Sequence, residues 1–181
     1  MNPYCILSFL ILLISQCRPK EQNYITQFPG KPETPSSIKR EHEQLLEHVQ
    51  AFTLFQDSAG LVAIKLHEIM EHHFQEEEDY VLPPLGLLPL LAGGQLPENS
   101  LEIIGLTDKL QSQLSHLNAE HQLIKAHMDE MLKTSAAFNH PEIKEFEKQL
   151  LQHAKVEEEI YFPAALVIGE NLKVKTQSKH E

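Results

Sequence analysis

His73-Phe-Gln-Glu-Glu77-Glu-Asp-Tyr-Val-Leu-Pro83 and His153-Ala-Lys-Val-Glu157-Glu-Glu-Ile-Tyr-Phe-Pro163 are one pattern occurring twice, with a glutamate four residues after a histidine and a proline ten after it. A further histidine precedes each copy: His42 lies 31 residues before His73, and His121 lies 32 before His153. All six residues fall on apolar stripes with steps of three and four. One stripe runs Ile38, His42, Leu45, Val49, Phe52, and the next runs Val62, Leu66, Ile69, His73, Glu77. The third runs Leu110, Leu114, Leu117, His121, Ile124, Met128, Met131, and the last Ile143, Phe146, Leu150, His153, Glu157, Ile160. Such steps mark one face of a helix, and an apolar face seeks burial.

The stripes predict helices over about 38–57, 61–82, 100–134 and 141–168, the first with a serine of Ser36-Ser37 as its N-cap. No segment alternates as a strand would. Four amphipathic helices predict an all-α, up-down-up-down four-helix bundle over residues 37–169, with a polar tail over 170–181. Residues 83–99 carry prolines and glycines among Leu85, Leu87, Leu88, Leu90 and Leu91. They read as an apolar loop over one end of the bundle, placed to gate it or simply to pack.

This fold would bury four imidazoles and two carboxylates together. One buried histidine is most simply a structural one. Six such groups without a counter-charge would be very costly, and a pair of metal ions is the simplest way to satisfy them. Residues i and i+4 of a helix stack with Cβ atoms roughly 5–6 Å apart. His73 with Glu77, and His153 with Glu157, therefore reach one centre, and His42 and His121 add a nitrogen from each remaining helix. Four nitrogens and two carboxylates suit iron, manganese or zinc. Carboxylates bridge metal pairs about 3.5–4 Å apart, and such a pair would keep a position open for a small ligand.

The other histidines fail the face test. His48, His67, His116 and His127 lie about 120–140° round their helices from the seam, and His72 falls in a polar stripe. They read as surface residues, with His72 within reach of a ligand. Glu76, Glu78, Glu158 and Glu159 read as a solvated acidic face. Tyr80 and Tyr161 read as core packing, with a hydrogen bond to a bound ligand as the sharper alternative. Lys125, one turn from His121, is either a cation near the site or a side chain snorkelling outward.

These motifs resemble those of the hemerythrin-like family, whose HHE domains carry a His, His, Glu pattern twice. The shared forms are the His73–Pro83 and His153–Pro163 segments and the Glu120-His121 pair, and the likeness covers about residues 38–168. It implies a non-heme di-iron centre in an up-down bundle, with His42, His73, Glu77, His121, His153 and Glu157 as ligands. The implied ligand at the centre is O2, NO or a related small oxidant such as peroxide, bound or sensed at an open iron position. The competing expectation is an enzyme that reduces peroxide or NO or supplies iron to damaged centres, and a third is a passive metal store. Oxygen-carrying members have a second histidine four residues after the one on the third helix, where this chain has Lys125, and an aspartate on the last helix, where it has Glu157. The set is more similar to members linked to NO or redox sensing and repair.

Composition narrows the partners. Hydrophobic residues make up 41% of the 181, enough for a packed core, and the net charge of −11 without a basic patch argues against nucleic acid. Ile6–Ile14 is an apolar run too short for a bilayer, which needs about 20 residues. It fits the core of a secretory signal over residues 1–17, although Met1–Cys5 holds no Lys or Arg. Ile14-Ser15-Gln16-Cys17 resembles the lipobox of bacterial lipoproteins, with Gln16 departing from the usual small residue. The expectation is export with lipid anchoring at Cys17. Arg18, Lys20 and Lys31 favour the alternative of a cytoplasmic C-terminal side. Residues 18–36 are rich in Pro, Gln, Thr and Ser and read as a flexible tether. Cys5 and Cys17 both lie in the first segment, so no disulfide framework is available.

Overall fold

The structure, a computed structural model, describes residues 32–136 and 140–177. The signal segment 1–17, tether residues 18–31 and the last residues of the polar tail, 178–181, lie outside the described residues. Among the described residues there are helices and no strands. They are α1 (Ser36–Phe52), α2 (Ser58–Glu76), α3 (Leu88–Ala92), α4 (Ser100–Ser135), α5 (Pro141–Val156) and α6 (Phe162–Gln177). Five-residue π turns, Glu77–Val81 and Glu157–Tyr161, follow α2 and α5, and a 3-10 turn spans Pro83–Leu87. No described helix is long and apolar enough to cross a membrane.

Helix α1 buries the stripe Ile38, His42, Leu45, Val49 and Phe52. Its N-cap is Pro35, with no side-chain cap bond, so the expected serine cap does not form and Ser36 is already helical. The helix stops at Phe52, short of residue 57, because Thr53 turns back on itself: its hydroxyl donates to the Gln50 carbonyl at 2.7 Å. Asp57 caps α2 instead, accepting from the amides of Ala59 (2.9 Å) and Gly60 (3.2 Å). Gly60 therefore lies inside α2 rather than in a break, and its bare Cα lets the Phe55 carbonyl approach where a Cβ would collide.

The helices thread two apolar clusters with a polar layer between them. In α1, Ile38 belongs to one cluster and Leu45, Val49 and Phe52 to the other. Helix α4 runs the same way, from Ile103 and Leu117 to Ile124 and Met131. Helix α2 runs oppositely, from Ala59 to Phe74 and then Tyr80, as does the last helical stretch, from Ile143 through Phe162 to Leu172. Helices α1, α2, α4 and α5 pack as a ring, each on its chain neighbour and α5 back on α1. In each helix the step from one cluster to the other passes through a residue of the metal motif.

Both motif prolines sit just beyond a π turn, and in each turn the closing amide, of Leu82 or Phe162, bonds the carbonyl five residues back. The wider turn absorbs the lost register where proline withholds its N–H. It also moves Ile160 off the seam: it is 56% exposed, while Phe162 is buried. The last helix does not end near 168 but continues to Gln177, with Leu172 buried.

Residues 83–99 are not an open loop. Leu85 and Leu87 are buried in a 3-10 turn, Leu90 and Leu91 pack against the cluster from α3, and the chain reverses at Gly94, whose φ of 75° suits glycine. Residues 32–35, within the stretch read as tether, lie against this cap. Pro32 and Thr34 are buried, and Gly86 leaves room for the Glu33 carbonyl.

At the opposite end, His140 clamps two connections. Its Nε2 donates to Asp57 Oδ2 at 2.9 Å, and its ring stacks on Phe55 at 3.9 Å. Asp57 is lowered from its ordinary 3.8 mainly by the hydrogen bond from His140, and His140 is raised from 6.5 mainly by the same bond. The carboxylate's contribution is present above 3.8 and lost as pH falls through the lowered value. The imidazole's is full below 6.5 and lost as pH rises through the raised value. The clamp is therefore complete between pH 3.8 and 6.5. Asp57→Asn keeps a good N-cap and loses the charge. Its deficit in melting temperature relative to the parent is expected to be largest inside this window and to shrink on either side. A deficit that does not change with pH would show that the clamp is not an ion pair.

Candidate metal centre

His42 comes from α1, His73 from the last turn of α2, His121 from α4 and His153 from the last turn of α5; Glu77 and Glu157 each open a π turn. The structure brings all six together, and none is more than 3% exposed. They fall into two groups of four, His42, Glu77, His153, Glu157 and His73, Glu77, His121, Glu157. Within each group one donor atom per residue lies within 4.8 Å of the rest. Each group takes one histidine from each half of the sequence, and both share the same two carboxylates. The i,i+4 pairs touch, and each glutamate also faces across the bundle.

Glu157 is the most connected. Its Oε1 lies 2.8 Å from His153 Nε2 and 3.4 Å from His42 Nε2, and its Oε2 lies 3.4 Å from His121 Nε2. Glu77 lies 3.4 Å from His73 Nε2 and 3.6 Å from His42 Nε2. Burial opposes a charge on Glu157, but the His121, His153 and His42 imidazoles that face it outweigh this and hold the carboxyl well below the usual range. Glu77 goes the other way: burial and the adjacent Glu157 charge push it well above that range. Burial and His121 lower His73. At His153 burial is outweighed by the Glu157 and Glu41 carboxylates beside it, which raise it to about 9.

The outward nitrogens were missed in the sequence, and their partners are the main correction to it. His42 Nδ1 donates to Glu78 (2.9 Å), His73 Nδ1 to Glu120 (2.9 Å) and His121 Nδ1 to Glu158 (2.7 Å), while His153 Nδ1 lies 3.3 Å from Glu41. Glu78 and Glu158 therefore do not belong to a solvated face. One residue along a helix is about 100° round, which turns the neighbour of a buried ligand toward the flanking helix rather than to water. The signal was present: each of the four carboxylates is adjacent in sequence to a buried His or Glu, as Glu41-His42, Glu120-His121, Glu77-Glu78 and Glu157-Glu158. Glu159 is exposed, and Glu76 is half-buried against His116.

With Nδ1–H held outward, each Nε2 can offer its lone pair to a cation at the centre. His73, His121 and His153 Nε2, both Glu77 oxygens and Glu157 Oε2 are buried without a hydrogen-bond partner. Ring nitrogens and carboxylate oxygens buried together without a hydrogen-bond partner are what a cation satisfies, so the residues present fit a metal. Phe74 stacks on His42 at 4.0 Å and Phe162 on His121 at 5.8 Å, fixing the rings and excluding water. Lys125 points to the outer shell, 3.3 Å from Glu158. Tyr80 is buried with its hydroxyl unpartnered and its ring under the Lys109 ammonium at 3.8 Å; burial and Glu76 raise its hydroxyl to about 12. Tyr161 is half-buried. His48 and His116 are exposed, and His67 and His127 are half-buried.

The outer carboxylates give a direct test. Glu78→Ala frees His42 to rotate and change tautomer, and is expected to weaken metal affinity about 10–100-fold while the bundle stays folded. Competition with a chromophoric chelator measures this, and an unchanged affinity would remove Glu78 from the site.

A family model described as the Hemerythrin HHE cation binding domain matches residues 36–165. No curated protein and no solved structure gives a match.

Proposed function

The chain belongs to the hemerythrin HHE cation-binding family, and from that premise we propose that it is an up-down-up-down bundle carrying a non-heme di-iron centre that binds or senses O2, NO or a related small oxidant. One observation carries this reading: two pairs of histidines face the same two buried carboxylates. His42 and His153 would hold one iron and His73 and His121 the other, with Glu77 and Glu157 common to both. Two histidines with carboxylates and open positions suit non-heme iron(II). Bound iron would supply a reducible centre with room for a diatomic ligand. The protein does the rest. Glu41, Glu78, Glu120 and Glu158 fix the imidazole tautomers, Phe74 and Phe162 exclude water, and the buried Tyr80 hydroxyl is an unpartnered donor. Lys125 anchors Glu158 where oxygen carriers place a histidine, which favours sensing or redox chemistry over reversible carriage.

The test is metal content and an optical spectrum on protein purified without oxygen, then exposed to air and to NO. Two irons per chain with a spectral change that reverses on removal of the gas is the expected result. Steady consumption of NO or peroxide with a reductant would convert the reading to an enzyme. Zinc, one metal or none after anaerobic iron loading would overturn the di-iron reading.

We also propose that residues 1–17 direct export and that Cys17 carries a lipid, on the strength of the short apolar run and the cysteine that follows it. Cys17→Ala is expected to release the protein from the membrane fraction; retention there would overturn the anchor.

A further inference from the structure

We propose that His72, Glu76, His116 and Glu120 form a separate divalent-cation site on the outer face of α2 and α4, joined to the buried centre through Glu120. His72 and Glu76 are one turn apart on α2, and His116 and Glu120 one turn apart on α4. Donor atoms of His72, Glu76 and Glu120 lie within 4.8 Å of one another. His116 Nε2 lies 2.9 Å from Glu76 Oε2 and 3.6 Å from Glu120 Oε1, and His72 Nδ1 lies 3.5 Å from Glu120 Oε1. Two imidazoles and two carboxylates are the donor set of each buried group again, one that suits zinc, iron(II) or cobalt(II). Here it is reachable from solvent: the His72 side chain is 66% exposed and that of His116 45%. The oxygens of Glu120 divide their work. Oε2 accepts from His73 Nδ1 at 2.9 Å, while Oε1 faces His72 and His116.

The internal repeat supplies the control. In the other half, Glu41 stands where Glu120 does and serves His153 in the same way. Gln152 precedes His153 where His72 precedes His73, and Val156 precedes Glu157 where Glu76 precedes Glu77. Ser37 lies five residues before His42 where His116 lies five before His121. That half orients its buried histidine without any of the three. His72, Glu76 and His116 are therefore not needed to orient His73, and their convergence on the free oxygen of Glu120 is explained by a cation.

The experiment fills the buried positions of the full chain with iron(II) without oxygen, then titrates cobalt(II). Visible cobalt absorption and metal content after desalting are the readouts. The expected result is one cobalt bound per chain in addition to the buried metal. The triple variant His72→Gln, Glu76→Val, His116→Ser copies the second half onto the first. It is expected to bind that cobalt about tenfold or more weakly, with buried iron and melting temperature unchanged. No cobalt beyond the buried positions, or cobalt bound equally by the variant, would overturn the site. Failure of the buried positions to take iron would be a separate result, because the surface cobalt is read by its own absorption and its own variant.

Discussion

Replacing Glu157 with alanine is expected to empty both metal positions and to destabilise the bundle. Glu157 belongs to both groups that could hold a metal ion and approaches three of the four inward nitrogens. A histidine variant should act unevenly: His42→Ala removes a nitrogen from one group only, and the other keeps its donors. Glu157→Ala strips an oxygen from each. It also leaves the imidazoles of His42, His121 and His153 without the carboxylate that offsets their burial. Loss of one partner from a buried charged network typically costs about 3–5 kcal/mol. Metal-coupled stability is lost in addition, since ligand sets of this kind fold with their ions. Glu157→Gln separates the two effects: it keeps the volume, loses the charge and should also fail to hold metal. Metal per chain by mass spectrometry and melting with and without chelator give the answer. Two metals retained in Glu157→Ala would end the shared-carboxylate reading. Glu77→Ala is expected to lose at least one metal for the same reason, with a smaller penalty in the metal-free protein because Glu77 approaches two of the nitrogens rather than three.

The helices and the inward residues were legible because burial imposes period on a sequence. A stripe with a histidine where leucine belongs locates both the helix and the odd residue on it. The π turns were not legible, since nothing in Glu157-Glu-Glu-Ile-Tyr161 announces a wider turn until Pro163 is weighed against a helix that continues to Gln177. The assignment of Ile160 to the seam failed on that residue. Glu41, Glu78, Glu120 and Glu158 were obscured for another reason. A face argument sorts residues into inside and outside, whereas these sit about 100° from a ligand and look sideways at the next helix. Their partners lie 33 or more residues away and emerge only when the helices are set side by side. The caps were similarly ambiguous, because Ser36, Asp57 and Ser58 are all good N-cap residues and packing around Phe55 and Gly60 decides among them.

A single methyl group on α6 should cost more than its helix preference returns. Gly169 is buried in the middle of α6, and a Cβ built on it would overlap the Thr107 side chain of α4. In an open helix, Gly→Ala stabilises by about 0.8–1 kcal/mol. Here the added carbon meets a side chain that cannot retreat. Thr107 is 2% exposed and its hydroxyl is fixed to the Ile104 carbonyl at 3.0 Å, with Ile103, Leu110, Ile168 and Leu172 buried around it. Overpacking of this kind costs about 1–3 kcal/mol, so Gly169→Ala is expected to be net destabilising. Adding Thr107→Ala removes Oγ1 and Cγ2 and should restore part of the loss; the remaining Cβ still crowds the new methyl, so recovery is incomplete. The contact lies about 21 Å along α4 from His121, at 1.5 Å rise per residue, so metal content of the folded variant should not change. Denaturant melts of the two single variants and the double variant provide the coupling. A Gly169→Ala protein more stable than the parent, or one not rescued by Thr107→Ala, would mean that α4 and α6 do not meet at this pair.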